Sequence, residues 1–385
     1  MEGLGKDGKE RLFRSALLVG SVVVALAVSE TYLRVTRPLE TFFNDLQFKP
    51  EIASEGWERA FVRDYGVLRR QGALGGDLHG FLHDPELGWD TPGRLRNART
   101  YSVAKPPGVF RVLAIGDSYT YGSEVETNQT YSSYLEQELA SNEVLNMGVK
   151  AYGIDQAAAK YLKYGRSYRP DVLIFGVFGP DYVRVPLTFF RFAKPVFRLD
   201  AAGELVLAKV PIPPPEEVYR GLRKKLWPLS YTFALLRSAF YGILDPHPHE
   251  AYYRRWDPLV EKIFTAVLNA AERDGSQVIF LYIPTGAHLA TDEGLNNYCC
   301  DRGHLAAIWK RLAEKYPSFG TIDLMEVLPR EYSRKVVYEQ MIMYHNGRPT
   351  GHFTPFGNQA VAKVIAQYLN RKIGAALSSH VALDR

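Results

Sequence analysis

Apolar positions along this chain follow two periods. Contiguous runs rich in β-branched and aromatic residues read as buried parallel strands, and they alternate with stretches whose apolar residues recur every three to four positions, the mark of amphipathic helices. The pattern predicts a strand from Val109 to Ile115, a helix over Thr130–Leu139, a strand over Val144–Met147, a helix over Ile154–Tyr164 and a strand over Val172–Phe178. After an interruption the alternation resumes. Asp257-Pro258 reads as a cap followed by a first-turn proline, with the helix running to Arg273. A strand at Gln277–Ile283, a helix at Gly303–Tyr316, a short strand at Thr321–Met325 and a last helix from Thr354-Pro355 to Leu369 follow. Such alternation predicts an α/β fold: a three-layer α/β/α sandwich on a mainly parallel, flavodoxin-like sheet.

The N-terminal pattern is different. Ser15 to Ser29 carries no charge. With Leu12, Phe13 and the apolar part of Glu30–Val35, it approaches the ~20 residues of a membrane helix. Lys6, Lys9, Arg11 and Arg14 precede it, which keeps the N-terminus cytoplasmic and sends the rest outside. Arg14 and Arg34 can snorkel at its ends. Cleavage as a signal peptide, at Ala25-Leu26-Ala27 or Ala27-Val28-Ser29, and a buried core helix are the alternatives. An uncleaved anchor is preferred, because apolar character continues past both cleavage sites. The expected organisation is a cytoplasmic tail (1–11), a transmembrane signal anchor (12–35), a juxtamembrane collar (36–108) holding the turn-rich His83–Trp89, an α/β domain (109–373) and a C-terminal tail (374–385). The protein is then single-pass, with its main domain periplasmic or extracellular.

Residues 184–255 interrupt the alternation and read as an insertion. Phe197 to Leu207 alternates about a turn, as a β-hairpin does. A proline-rich connector follows (Pro211, Pro213, Pro214, Pro215), then an aromatic helix candidate at Leu229–Leu244. The insertion holds twelve Lys/Arg against six Asp/Glu, more net positive charge than the +5 of the whole chain. Its basic residues interleave with Phe189, Phe190, Phe192, Trp227 and Tyr231. The segment is therefore a candidate surface for a protein partner, anionic lipid or polysaccharide, against the plainer reading of a solvated basic face. A charge of +5 over 385 residues gives no reason to expect nucleic-acid binding. The two cysteines, Cys299 and Cys300, are adjacent and cannot staple distant elements. His247-Pro248-His249 has no further ligands at metal-site spacing, so neither metal nor cofactor is expected.

Candidate chemistry begins where the first strand ends, at Gly116-Asp117-Ser118. A serine there stands at the carboxyl edge of the sheet, where open α/β folds place their sites; a plain helix cap is the alternative. Ile115-Gly116-Asp117-Ser118-Tyr119 resembles the first block of the SGNH, or GDSL, hydrolases. Val144 to Gly153 resembles their second block, Pro170 to Asp181 their third, and Gly351-His352-Phe353-Thr354-Pro355-Phe356-Gly357-Asn358 their last. The resemblance implies a Ser118 nucleophile, with Asp117 beside it, and a His352 base. It implies an oxyanion hole built on the backbone N–H groups of Ser118 and of Ala151, which stands at the second-block Gly. Pro180 occupies the third-block Asn position and supplies neither a side-chain donor nor an N–H. Gly179 and Asn146 are the remaining candidate donors. Thr350 and Pro349 stand where an Asp usually orients the histidine, which leaves the orienting group unassigned; a backbone carbonyl is one candidate. The implied function is a membrane-anchored extracytoplasmic serine esterase acting on an O-acyl ester of a small molecule or a cell-envelope glycan. The alternatives are a polysaccharide O-acetyltransferase and a degenerate fold that binds a glycan or a protein within a membrane complex.

Overall fold

The computed structural model describes residues 6–36, 80–139, 142–190, 192–226, 230–233, 236, 250–285, 300–316, 319–345, 347 and 351–381. In chain order the elements are α1 (Lys6–Thr36), β1 (Leu82–Asp84), β2 (Gly88–Asp90), β3 (Arg111–Ile115), α2 (Ser118–Tyr121), α3 (Tyr131–Glu138), β4 (Glu143–Asn146), α4 (Ile154–Lys163), β5 (Val172–Phe178) and α5 (Asp181–Arg184). There follow β6 (Phe189–Phe190), β7 (Phe192–Ala193), β8 (Val196–Leu199), β9 (Leu205–Ala208), α6 (Pro215–Leu226), α7 (Glu250–Arg273), β10 (Gln277–Ile283), α8 (Cys300–Ala313), β11 (Gly320–Asp323), α9 (Leu324–Tyr332), α10 (Arg334–Gln340) and α11 (Pro355–Val381). The chain divides into two compact units. One comprises Gly76–Ile212 and Pro248–Arg385, the other Met1–Gly75 and Pro213–His247.

The first unit is built on a five-stranded sheet of order β11-β10-β5-β3-β4, parallel at every junction. Side chains alternate across each strand. Val112, Ala114, Val144, Ile174, Ile279 and Leu281 face one layer, where they meet Leu135 of α3 and Val361, Ile365 and Leu369 of α11. On the other face Phe175 packs against Phe264 of α7 with centroids 5.6 Å apart, and Phe280 stacks on Trp309 of α8 at 5.5 Å. A strand covered on both faces must be apolar throughout, which accounts for Val172-Leu173-Ile174-Phe175-Gly176-Val177-Phe178. The chain winds outward from β3 in both directions, first to β4 and later to β5. The topological switch point therefore lies beyond the carboxyl end of β3, where Ser118 follows.

Three boundaries differ from the pattern reading. Pro258 lies inside α7, which begins at Glu250, and Asp257 is not its cap. The Asp257 carboxylate instead accepts from the Tyr182 hydroxyl and meets His304 Nδ1 at 2.8 Å, so its polar chemistry serves tertiary contacts. β11 ends at Asp323, whose side chain accepts from Met325 N–H at 2.9 Å and starts α9. α11 continues to Val381 rather than stopping near Leu369.

Within the interrupting segment, β8 and β9 form the expected antiparallel hairpin, Val196 opposite Ala208 and Leu199 opposite Leu205. Lys194, fully buried, pairs with Asp155 of α4 at 2.5 Å and also donates to the carbonyls of Arg184 and Leu187. The β1–β2 hairpin is antiparallel, His83 opposite Trp89. Trp89 donates its indole N–H to the Lys150 carbonyl at 3.0 Å, and its own carbonyl accepts from the Tyr152 hydroxyl. The hairpin thus holds the loop that carries Ala151.

In the second unit, α1 spans 31 residues, about 46 Å at helical rise. Leu17, Leu18, Val19, Val23, Val24 and Val28 are all exposed on it. It is long and apolar enough to cross a membrane, and a signal sequence meets the same description. Near its end the Glu30 carboxylate accepts from the backbone N–H groups of Tyr231 (3.1 Å) and Thr232 (2.9 Å) and from the Ser230 hydroxyl (3.0 Å). Trp227, Cys299, His247-Pro248-His249 and most of the predicted Leu229–Leu244 helix lie outside the described residues.

Candidate active site

Two glycines shape the turn that carries Ser118. After β3, Gly116 adopts φ +154, and a Cβ there would lie 2.3 Å from Thr120 Oγ1 and 2.7 Å from the Gly176 carbonyl. Only glycine lets the chain turn so close to β5. Asp117 then caps α2, its Oδ1 accepting from Tyr119 N–H at 2.9 Å, and Ser118 becomes the first helical residue. Gly148 brings the second-block loop against α2: a Cβ there would sit 2.3 Å from the Tyr121 nitrogen.

His352 arrives from the far end of the chain. Residues 341–343 and 351–353 pair as a small antiparallel ladder, with Met343 N–H donating to the His352 carbonyl at 2.8 Å and Gly351 N–H to the Met343 carbonyl at 3.0 Å. The Tyr119 hydroxyl donates to the Gly351 carbonyl at 3.2 Å, and its ring packs on His352 (4.8 Å) and Phe353 (5.1 Å). Burial, then Asp117 and Glu124, push the Tyr119 phenol upward, so it remains a donor. The result is a Ser118 Oγ–His352 Nε2 distance of 2.8 Å. Oγ also lies 3.1 Å from Asp117 Oδ2.

An acid the sequence reading left unassigned stands on the other side of the imidazole. Glu124 Oε2 accepts from the His352 backbone N–H at 3.0 Å and lies 3.3 Å from Nδ1. The second contact is within ion-pair range without hydrogen-bond alignment, and Nδ1 has no aligned acceptor, because the backbone N–H draws the same oxygen. Catalytic hydrogen bonds are often loose before substrate binds. Glu124 Oε1 meets His345 Nε2 at 2.9 Å. Burial opposes ionisation of Glu124, but the backbone N–H and imidazole of His352, with His345, outweigh it and hold its pKa below the ordinary carboxylate value. Glu124 adopts φ +68, a strained backbone for a non-glycine residue. It follows Ser118 by six positions in a turn that no motif marks, and backbone strain is not visible in a sequence.

The oxyanion candidates separate cleanly. The N–H groups of Ser118 and Ala151 have no acceptor among the described residues. Ala151 holds φ +67, the conformation for which glycine is the usual occupant. Gly179 N–H, by contrast, donates to the Ile283 carbonyl at 3.2 Å, the next strand's end. The Asn146 amide is fully buried, giving to the Thr120 carbonyl (2.7 Å) and accepting from Gly148 N–H (2.9 Å). Both are spent within the fold. Pro180 leads into α5 at φ −60 and offers no donor. Arg184, at the end of α5, reaches back instead: Nη1 donates to the Tyr152 carbonyl (2.7 Å) and to Asp181 (2.5 Å), and lies 3.7 Å from Asp117 Oδ2. It ties the Ala151–Tyr152 turn to the third block. Burial, then the nearby Asp117, drive the Asp181 carboxyl well above its ordinary value, against the pull of Arg184.

No protein-family model matches the sequence, and no curated protein sequence does. Among solved structures, the chain is similar to an acetyl xylan esterase, AlAXEase, with 14% identity and a TM-score of 0.40 over 68% of this chain and all of that one. It is similar to TesA, with 11% identity and a TM-score of 0.39 over 68% of this chain and 98% of the other. It is also similar to the lipase/acylhydrolase from Enterococcus faecalis, with 11% identity and a TM-score of 0.38 over 69% of this chain and 97% of that one.

Proposed function

We propose that this protein is a serine esterase that uses Ser118, His352 and Glu124 on an O-acyl ester, in a membrane-anchored form that works outside the cytoplasm. The observation that carries the reading is the 2.8 Å contact between Ser118 Oγ and His352 Nε2, with the Glu124 carboxylate beside the opposite ring nitrogen. A neutral imidazole that accepts at Nε2 carries its proton on Nδ1, facing Glu124. His352 removes the Ser118 proton as Oγ attacks the acyl carbon, Glu124 stabilises the imidazolium, and the proton passes to the departing alkoxide. Water, activated by the same imidazole, then frees the acid. With a sugar hydroxyl in place of water, the step becomes transfer, which is the O-acetyltransferase alternative. The Ser118 and Ala151 N–H groups are available for the oxyanion. Lacking a third-block donor, the enzyme should be slow, by about a hundred- to a thousand-fold for one donor.

The test is labelling by a fluorophosphonate probe together with turnover of small acyl esters and acetylated polysaccharide. Ser118→Ala should lose both. Pro180→Asn should raise turnover by adding a side-chain donor beside the acyl group. Turnover that survives Ser118→Ala would place the activity elsewhere. Absence of labelling and turnover, with tight binding of a glycan or a protein, would favour the degenerate alternative.

A further inference from the structure

His345 lies seven residues before His352, two positions past the paired 341–343 segment, and its side chain is half exposed. Its Nε2 meets Glu124 Oε1 at 2.9 Å, while Glu124 Oε2 serves His352. One carboxylate therefore stands between two imidazoles, one oxygen to each. Gly351, at the start of the paired 351–353 segment, is fitted to this approach: a Cβ there would fall 2.8 Å from His345 Nε2 and 2.8 Å from the Met343 carbonyl oxygen. The charged and titratable groups around Glu124 are His352, His345 and, on α2, Tyr119, with Asp117 beyond Ser118 and Arg184 and Asp181 beyond Asp117. Tyr119 is a neutral phenol and Asp117 lies beyond Ser118 with Arg184 3.7 Å away, so the groups in direct contact are one carboxylate and two imidazoles.

We propose that His345 is a positioning residue that orients Glu124 toward His352 and tunes the site to pH, taking a proton at the outer end of the line Ser118–His352–Glu124–His345. The inference rests on the catalytic reading of Ser118 and His352. Neutral His345 donates Nε2–H to Oε1 and so turns Oε2 toward the base. This holds the carboxylate at both oxygens, Oε1 by His345 and Oε2 by the His352 backbone N–H. Protonated His345 adds a cation beside the same carboxylate. That charge weakens the hold of Glu124 on the imidazolium forming at His352, since the field of one carboxylate is then shared between two cations.

The experiment compares kcat and KM across pH 5 to 9 for the wild type, His345→Ala and His345→Gln on a small neutral ester, with thermal melting as a check on folding. His345→Ala removes the donor and the charge. It should lower kcat about tenfold with KM little changed, the pattern expected when an interaction made in the transition state is lost. His345→Gln restores a neutral donor at the same reach and should recover most of that kcat. Its acid limb should still move by about half a unit, because no outer cation forms on acidification. If both variants kept the wild-type kcat and the wild-type acid limb, the inference would be overturned. A loss in His345→Ala that His345→Gln did not rescue, with both limbs unmoved, would also overturn it and leave a purely structural contact. The parent reading is judged separately by Ser118→Ala: activity insensitive to that change removes the catalytic reading itself, whereas a dead Ser118→Ala with indifferent His345 variants removes only the present inference.

Discussion

At the scale of single residues, the site is a matter of where one proton is held. On the proposed mechanism Ser118, His352 and Glu124 act in series, so each should be needed and their losses should not add. Glu124→Gln keeps the side chain's shape and its acceptor for the His352 backbone N–H, but removes the charge that favours the imidazolium. By analogy with removal of an orienting acid elsewhere, kcat should fall by about a hundredfold or more, with substrate binding little affected. Steady-state kinetics on a small ester reads this directly; an unchanged kcat would demote Glu124 to a loop contact. Ser118 and His352 were legible because they sit in local blocks whose neighbours, Gly116 and Gly351, are dictated by close packing. Glu124 was not. Its role depends on the antiparallel pairing of 341–343 with 351–353, which brings together residues 228 positions apart, and no local pattern encodes that distance. For the same reason the sequence offered Gly179 and Asn146 as donors: a motif position says which atoms exist, not which neighbours have already taken them.

At the scale of elements, two polar contacts hold the frame around the site, and each makes a prediction about stability. Asp84 closes the β1–β2 turn: Oδ1 accepts from the N–H groups of Glu86 (2.9 Å) and Leu87 (3.0 Å), and Oδ2 from the Tyr164 hydroxyl (3.0 Å). Burial opposes its ionisation, but the two N–H donors, Tyr164 and Arg94 prevail, and its pKa is lowered. A lowered carboxylate contributes stability above its unfolded pKa, about 3.9, and that contribution is lost as pH falls through the folded value. Urea midpoints should therefore drop between about pH 4.5 and 2.5 more steeply in the wild type than in Asp84→Asn. Equal slopes would show that the turn does not depend on this charge. Lys194 and Asp155 form the second contact, buried on both sides. Lys194→Met leaves an unpaired buried carboxylate and should cost about 3–5 kcal/mol, part of which Asp155→Asn in the same chain should return. A double variant no more stable than Lys194→Met would assign the cost to lost packing. Neither contact could be read in advance, since polar side chains at these positions look like surface residues until a tertiary partner is known. The Asp257-Pro258 reading failed in the same way: its cap signal was genuine local chemistry, overruled because Tyr182 and His304 engage the carboxylate.

At the scale of the whole chain, the sheet was the most legible feature. The inner strands β3, β5 and β10 are buried on both faces and read as nearly continuous apolar runs, a requirement that writes itself into sequence more strongly than any boundary or cap does, while the edge strands β4 and β11 carry Glu143, Asn146, Thr321 and Asp323. The N-terminal helix α1 is long and apolar enough to cross a membrane, and its exposed apolar face poses the same problem of burial. Along α1, Leu18, Val19, Val24 and Val28 each remain more than 60% exposed. A surface of that size and composition has a hydrophobic cost in water that a bilayer removes. On the proposed anchor reading, the basic residues ahead of it keep the N-terminus in the cytoplasm and the chain beyond Thr36 crosses the membrane. Reporter fusions just after Arg37 decide the matter. Alkaline phosphatase, which matures only outside the cytoplasm, should be active at that junction, and a reporter that works only in the cytoplasm should be silent. The opposite pair of results would reverse the orientation. Exchanging Lys6, Lys9, Arg11 and Arg14 for neutral residues should weaken the asymmetry and yield both reporter signals together, because orientation follows the charge at the helix end rather than the helix itself. Fractionation adds the remaining distinction: an uncleaved anchor keeps the full-length chain in the membrane, whereas a cleaved leader releases a shorter soluble product.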